Sequence, residues 1–207
     1  IMTDYFGENL NGILNARSGQ VRGIINGINY EEWNPATDGF IENNYNARNF
    51  VSQKKLNKLA LQKEAGLEEN ADKFLVGVVT RLTGQKGIDL IECVMDNIFE
   101  QGDVQMIVLG TGEKRYEDML RHFEWKYKGN LCSMIKFDNA ISHRIYASCD
   151  AFLMPSLFEP CGLSQMISMR YGTLPIVRET GGLRDSVEPY NEFENTGTGF
   201  SFANYNA

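Results

Sequence analysis

From Lys73 onward, short apolar runs alternate with stretches whose apolar residues recur every three or four positions, and no other feature narrows the fold as much. Phe74-Leu75-Val76-Gly77-Val78-Val79 is strand-sized, and Ile88, Ile91, Met95 and Ile98 then mark one helical face. Residues 104–109 repeat the strand pattern. Tyr116, Met119, Leu120, Phe123 and Tyr127 repeat the helical one, reading as core rather than as a cofactor box. Residues 131–137, 151–154 and 174–177 are predicted strands, residues 142–148 and 162–171 helices, and residues 199–202 a last extended piece. Strands apolar on both sides call for an α/β fold, a parallel sheet with helices on both faces. Ligands of such sheets sit outside the carboxyl ends of the strands. The candidate site therefore comprises residues 81–87, 110–113, 137–143 and 156–164.

The first 46 residues are rich in Asn, Gly and Asp without periodicity, and read as a long loop or linker arm. Residues 47–65 look helical and carry Arg48, Lys54, Lys55, Lys58 and Lys63; such a basic face either collects anions or, as expected here, is solvated. The 207-residue length alone fits one domain. With 43% hydrophobic and 23% charged residues the composition is that of a soluble globular protein, too apolar for disorder. A net charge of −7 argues against a nucleic-acid partner, and no apolar run reaches the length of a membrane span. The start, Ile1-Met2-Thr3-Asp4, lacks the basic and apolar regions of a signal peptide and is an odd native beginning, so a fragment is expected. Cys93, Cys132, Cys149 and Cys161 form no C-x-x-C pair and have only His122 and His143 for company. They write neither a zinc cage nor a disulfide framework; a reducing compartment is expected, with Cys93, Cys132 and Cys149 as small buried apolar residues.

Three segments carry chemistry. Arg81 and Lys86, on the glycine-flexed loop after the first strand, either clamp a diphosphate or stand as two solvated cations; Arg offers a planar fork of donors and Lys a mobile point charge. The loop is not a Walker A motif, because no Gly-Lys-Ser/Thr occurs. Gly110-Thr111-Gly112 begins like a dinucleotide fingerprint but has Arg115 for the third glycine, so its backbone passes close either to a ligand or to a neighbouring strand. In Pro155-Ser156-Leu157-Phe158-Glu159-Pro160-Cys161-Gly162-Leu163-Ser164, Pro160 reads as a helix start that would aim the N–H groups of Gly162, Leu163 and Ser164 at an anion. Glu159 beside it is either functional or a carboxylate favoured by the helix dipole. Gly162-Leu163-Ser164-Gln165-Met166 lacks the closing glycine of a nucleophile elbow, which disfavours a serine hydrolase. No Asp-x-Asp pair is present to hold Mg²⁺ or Mn²⁺, and the loops together describe a site for a nucleotide diphosphate carrying another group.

Arg81-Leu82-Thr83-Gly84-Gln85-Lys86-Gly87-Ile88-Asp89, Phe158-Glu159-Pro160-Cys161-Gly162-Leu163, Tyr171-Gly172-Thr173-Leu174-Pro175, Glu179-Thr180-Gly181-Gly182-Leu183 and Thr198-Gly199-Phe200 resemble the motifs of bacterial glycogen synthases and plant starch synthases, in family order. Gly23-Ile24-Ile25-Asn26-Gly27-Ile28-Asn29 resembles the family's hinge between two Rossmann-like domains. The resemblance implies the C-terminal half of a GT-B enzyme roughly twice as long, against the single-domain expectation from length. Residues 1–28 would end the acceptor-side domain and hinge. Residues 29–207 would form the Rossmann-like nucleotide-sugar domain, lacking its final C-terminal helix. The implied activity moves glucose from ADP-glucose to the non-reducing end of an α-1,4-glucan, with retention and with no metal or cofactor, in the bacterial cytoplasm. Arg81 and Lys86 would stabilise charge growing on the departing diphosphate. Glu159 would orient the glucose ring and favour its oxocarbenium-like character. Cys161 and Gly162 would hold sugar hydroxyls, Leu163 and Ser164 the distal phosphate; Phe137 would stack on adenine, and Asn26 would lie near the sugar.

One departure is visible. Related transferases carry a second glutamate eight residues after the first, where this chain has Ile167, which leaves the ribose contact unassigned. The partners implied are ADP-glucose, the glucan and the missing N-terminal domain, with no nucleic acid and no membrane. Without that domain the fragment is expected to bind ADP weakly and to transfer no glucose. A retaining transferase using a UDP- or GDP-sugar, or a non-catalytic nucleotide- or glucan-binding module, are the alternatives.

Overall fold

The periodic segments become a Rossmann-like sheet in the computed structural model, which describes residues 2–4, 7 and 9–206; Ile1 of the expected fragment start and Ala207 of the expected donor domain lie outside the described residues. In chain order the elements are α1 (Asn11–Ala16), a 3-10 turn (Ser18–Gln20), α2 (Phe50–Glu64), β1 (Phe74–Val79), a second 3-10 turn (Gly84–Lys86), α3 (Ile88–Glu100), β2 (Val104–Leu109) and α4 (Lys114–Lys126). There follow β3 (Leu131–Met134), α5 (Asn139–Ser148), β4 (Ala151–Met154), α6 (Ser164–Arg170), β5 (Leu174–Arg178), α7 (Gly181–Ser186) and β6 (Phe200–Phe202). The six strands pair in the order β3-β2-β1-β4-β5-β6, all parallel. The order reverses between β1 and β4, where Val76 pairs with Ala151 and Gly77 with Phe152. That reversal opens a crevice at the carboxyl ends of the two strands.

Alternate residues of β1 serve opposite layers. Leu75 packs with Leu61, Ile145 and Ile167 from α2, α5 and α6, while Val76 and Val78 pack with Ile91, Met95 and Leu120 from α3 and α4. Leu75, Met95, Ile145 and Leu120 are at most 1% exposed, so truncating any one to Ala should cost about 2–5 kcal/mol. Tyr116, Met119 and Leu120 are core, as their stripe predicts. Cys132 and Cys149 are buried, but Cys93 is exposed on α3, against expectation. No helix among the described residues is long and apolar enough to cross a membrane.

The expected linker arm is only partly an arm. Residues 33–45 form a strap without regular structure that docks on α5 and α6 through isolated anchors, which is why no periodicity announces it. Trp33 stacks on His143 with ring centroids 4.1 Å apart. Asp38, 6% exposed, meets His143 Nδ1 at 2.7 Å and accepts from the Tyr171 hydroxyl at 2.6 Å. Tyr45 donates to the Tyr171 carbonyl at 2.8 Å. Burial pushes the Asp38 carboxyl up, and the hydrogen bonds from His143, Tyr171 and the Phe40 N–H outweigh it, holding the group below the usual carboxylate range.

The basic face of α2 also departs from expectation, because two of its lysines point inward. Lys58 reaches Asp150 at 2.6 Å and the carbonyls of Ala71 and Lys73 at 3.1 Å. Lys54 donates to Thr173 Oγ1 at 2.7 Å and to the carbonyls of Ala147 and Tyr171 at 3.2 Å, so one ammonium caps the carboxyl ends of both α5 and α6. Burial brings this ammonium down to about 8.

Several boundaries differ from the sequence expectation, among them the start of α5, at Asn139 rather than residue 142. β3 stops at Met134 rather than residue 137, because the chain must turn for Asp138 to cap α5 by accepting from the Ile141 N–H at 3.0 Å. α6 begins at Ser164, since Gly162 is left-handed with φ 72°. α7, at six residues, is too short to show an apolar stripe.

Candidate functional site

Two adjoining cavities open at the carboxyl ends of the strands and share Val79 and Thr80. The first, about 230 Å³, lies beyond β1 and β2 beside the start of α5, and Arg81, Thr111, Lys136, Phe137 and Asn139 help to line it. The second, about 240 Å³, lies at the β1–β4 reversal and is lined by Lys86, Ser156, Glu159, Gly162, Leu163 and Ser164 with Leu153 and Met154.

Just past the ends of β1 and β2, backbone is pressed on backbone. A Cβ on Gly110 would lie 1.8 Å from the Thr80 carbonyl oxygen, and one on Gly112 would lie 2.2 Å from that of Leu82. Leu82 N–H donates to the Thr111 carbonyl at 2.9 Å, and Glu113 N–H to the Leu82 carbonyl at 2.8 Å. The glycine pair thus serves a neighbouring strand-end, one of its two expected readings. Gly87 is similarly constrained: its φ is 74° and a Cβ would meet the Pro155 carbonyl oxygen at 2.2 Å, so only glycine seats this loop against the end of β4. Leu157 N–H donates to the Gln85 carbonyl at 3.0 Å, tying residues 81–87 to residues 156–164.

Inside the second cavity Lys86 Nζ lies 2.5 Å from Glu159 Oε2, with the two side chains 17% and 9% exposed. Glu159 is therefore the counter-ion of a loop cation rather than a lone carboxylate favoured by a helix dipole. Its backbone is fixed from behind, because the Gly182 N–H at the start of α7 donates to the Glu159 carbonyl at 3.0 Å. The carbonyls of Cys161 and Gly162 accept from Gln165 Nε2 at 3.0 and 2.9 Å, so both belong to the scaffold of the loop. Pro160 stands four positions before the first residue of α6, not at its first turn, and that helix has only seven residues. The expected helix-start anion site is consequently a loop of Gly162 and Leu163 leading into Ser164.

The structure groups Lys86, Glu159, Gly162, Leu163 and Ser164 in one cavity and sets Arg81 and Phe137 in its neighbour. Arg81 is exposed, and Phe137, 92% exposed, stands at the rim of the first cavity. Cys161 adjoins the second cavity in sequence without lining it, and Asn26, exposed in a stretch without regular structure, lines neither. Ser156, within the marked 156–164 segment, lines the second cavity, whereas Thr80 and Lys136 are lining residues that no motif marked; their places just past strand ends are the signal that would have found them. Among the described residues no cluster of three or more His, Cys, Asp or Glu is placed to hold a metal ion.

The sequence family described as glycosyl transferases group 1 matches residues 61–207. The chain belongs to this family. Among the group 1 glycosyl transferases it is similar to the glycogen synthase of Lachnospira eligens, 61% identical over all of this chain and 43% of that protein. The glycogen synthase of Lachnoclostridium phytofermentans is 57% identical with the same coverage. Among solved structures, the catalytic domain of starch synthase IV from Arabidopsis thaliana, bound to ADP and acarbose, superposes with a TM-score of 0.89 at 40% identity, over 99% of this chain and 43% of that one. The chain thus spans less than half the length of these relatives. The resemblance to glycogen and starch synthases and the fold it implies both stand.

Proposed function

We propose that this chain is the nucleotide-sugar-binding part of a glucan synthase, residues 29–207 forming the donor domain, which transfers glucose from ADP-glucose to the non-reducing end of an α-1,4-glucan with retention. The observation that carries the proposal is the Lys86–Glu159 pair, set in a polar cavity at the sheet's reversal point beside a second cavity rimmed by an exposed aromatic ring. In the proposed arrangement the base stacks on Phe137, the diphosphate crosses the shared Thr80 edge between Arg81 and Lys86, and the glucose enters the second cavity. Negative charge grows on the diphosphate as the glycosidic bond breaks, and fixed cations there favour the transition state over the bound donor. Glu159 then faces the sugar, where its carboxylate orients the ring and offsets developing positive charge. Leu163 and Ser164 lie where the distal phosphate would end. Asn26 lies in neither cavity and takes no part in this arrangement. The glucan and the remaining half of the protein complete the site, and kinship with bacterial glycogen synthases suggests the bacterial cytoplasm as its setting.

ADP is favoured over other nucleoside diphosphates because the starch synthase IV domain that this chain resembles across nearly its whole length is one bound to ADP. Titrating the full-length protein with ADP, UDP and GDP by calorimetry tests this. ADP should bind most tightly; equal or reversed preference would move the assignment to a UDP- or GDP-sugar transferase.

A further inference from the structure

The loop that carries Arg81 and Lys86 is held by a residue that no motif singled out. Tyr205 follows β6, and its hydroxyl lies 2.6 Å from Asp89 Oδ1 and 3.1 Å from the Gly84 carbonyl oxygen. Gly84 opens the 3-10 turn that presents Lys86, and Asp89 sits in the first turn of the helix that follows it. The face of the Tyr205 ring carries the Arg178 guanidinium, 5.4 Å from the ring centroid. Arg178 Nη1 in turn donates to the Leu157 carbonyl at 2.8 Å, two residues before Glu159. The Nε of Arg178 is buried with no hydrogen-bond partner among the described residues, an unfavourable placement that the Leu157 and Tyr205 contacts must offset. One ring and one guanidinium therefore link the end of β5 and the tail after β6 to both loops of the second cavity.

We propose that Tyr205 is a positioning residue for transfer, holding the 84–86 turn so that Lys86 meets the departing diphosphate in a fixed place. The inference rests on the donor site proposed above. Transition-state stabilisation by a fixed charge falls steeply when the charge wanders, because the site must then reorganise during reaction. A long lysine stem on a short turn needs its turn anchored. Burial and then the Asp89 carboxylate both push the Tyr205 phenol above its ordinary value, so it remains a donor throughout the physiological range.

A double-mutant cycle in the full-length protein separates this role from mere anchoring of the tail. Tyr205→Phe keeps the ring over Arg178 and removes only the hydroxyl. It should lower kcat/KM for the sugar donor about tenfold, the scale of one hydrogen bond to a charged group. In a Lys86→Ala background the same change should lower it less than twofold, because the positioned charge is already gone. Unchanged kcat/KM in Tyr205→Phe, or an equal tenfold loss in both backgrounds, would overturn the proposal. A full-length protein that turned over a UDP- or GDP-sugar instead would defeat the ADP-glucose reading, and the cycle would still be read with that donor.

Discussion

Lys86 and Glu159 stand 73 residues apart in the chain and meet at 2.5 Å in a cavity with little exposure to water. A partly desolvated pair like this is satisfied before any ligand arrives, so an incoming diphosphate must compete with the carboxylate for the same ammonium. Neutralising the carboxylate removes both the competitor and a like charge near the phosphates. Glu159→Gln should thus tighten ADP binding about fivefold, on the scale of an ion pair worth about 1 kcal/mol. The same change should lower turnover by about a thousandfold, or about 4 kcal/mol of lost transition-state stabilisation. Calorimetry and initial rates read the two halves. Retained turnover would make that carboxylate structural, and weakened ADP binding would refute the competition. The motif residues themselves were legible at this scale. Their pairing was not, because nothing local to residue 86 names residue 159 as its partner.

At the scale of elements, what the sequence revealed followed from periodicity, and what it hid followed from its lack. β1, β2 and β4 were legible to the residue because each is a mainly apolar run entered from a charged residue (Lys73, Asp103, Asp150) and closed by Thr80, Gly110 or Pro155. β3 and α6 were over-extended, since a cap at Asp138 and a left-handed Gly162 end their elements without interrupting the apolar pattern. α7 and the 33–45 strap were missed, the first too short for a stripe and the second held by Trp33, Asp38, Ile41 and Tyr45 at irregular spacing. The Gly110 contact belongs here too. Gly110→Ala would force a methyl group to within 1.8 Å of a carbonyl oxygen that is part of the next strand-end. It should destabilise the protein by about 3 kcal/mol or more, within the range of strained backbone substitutions. Denaturant unfolding of the variant checks this, and a loss below about 0.5 kcal/mol would mean that the two strand-ends separate freely.

Across the whole molecule the cleft is framed by elements from both halves of the sheet, so ligand binding should be felt as global stability. ADP at about 100 times its dissociation constant should add about 2.7 kcal/mol. For a chain of this size that is a rise of roughly 5–10 °C in Tm. Arg81→Ala and Lys86→Ala should each blunt the shift in a thermal melt, and an undiminished shift in both would remove them from the phosphate site. Binding at the strand tips can travel because the layers beneath are fastened together at a few points. The ammonium of Lys54 is one, shared between the last carbonyls of two helices on the same side of the sheet. Those two ends are thereby tied to one another, and with them the helix that carries Ser164 at its opposite end.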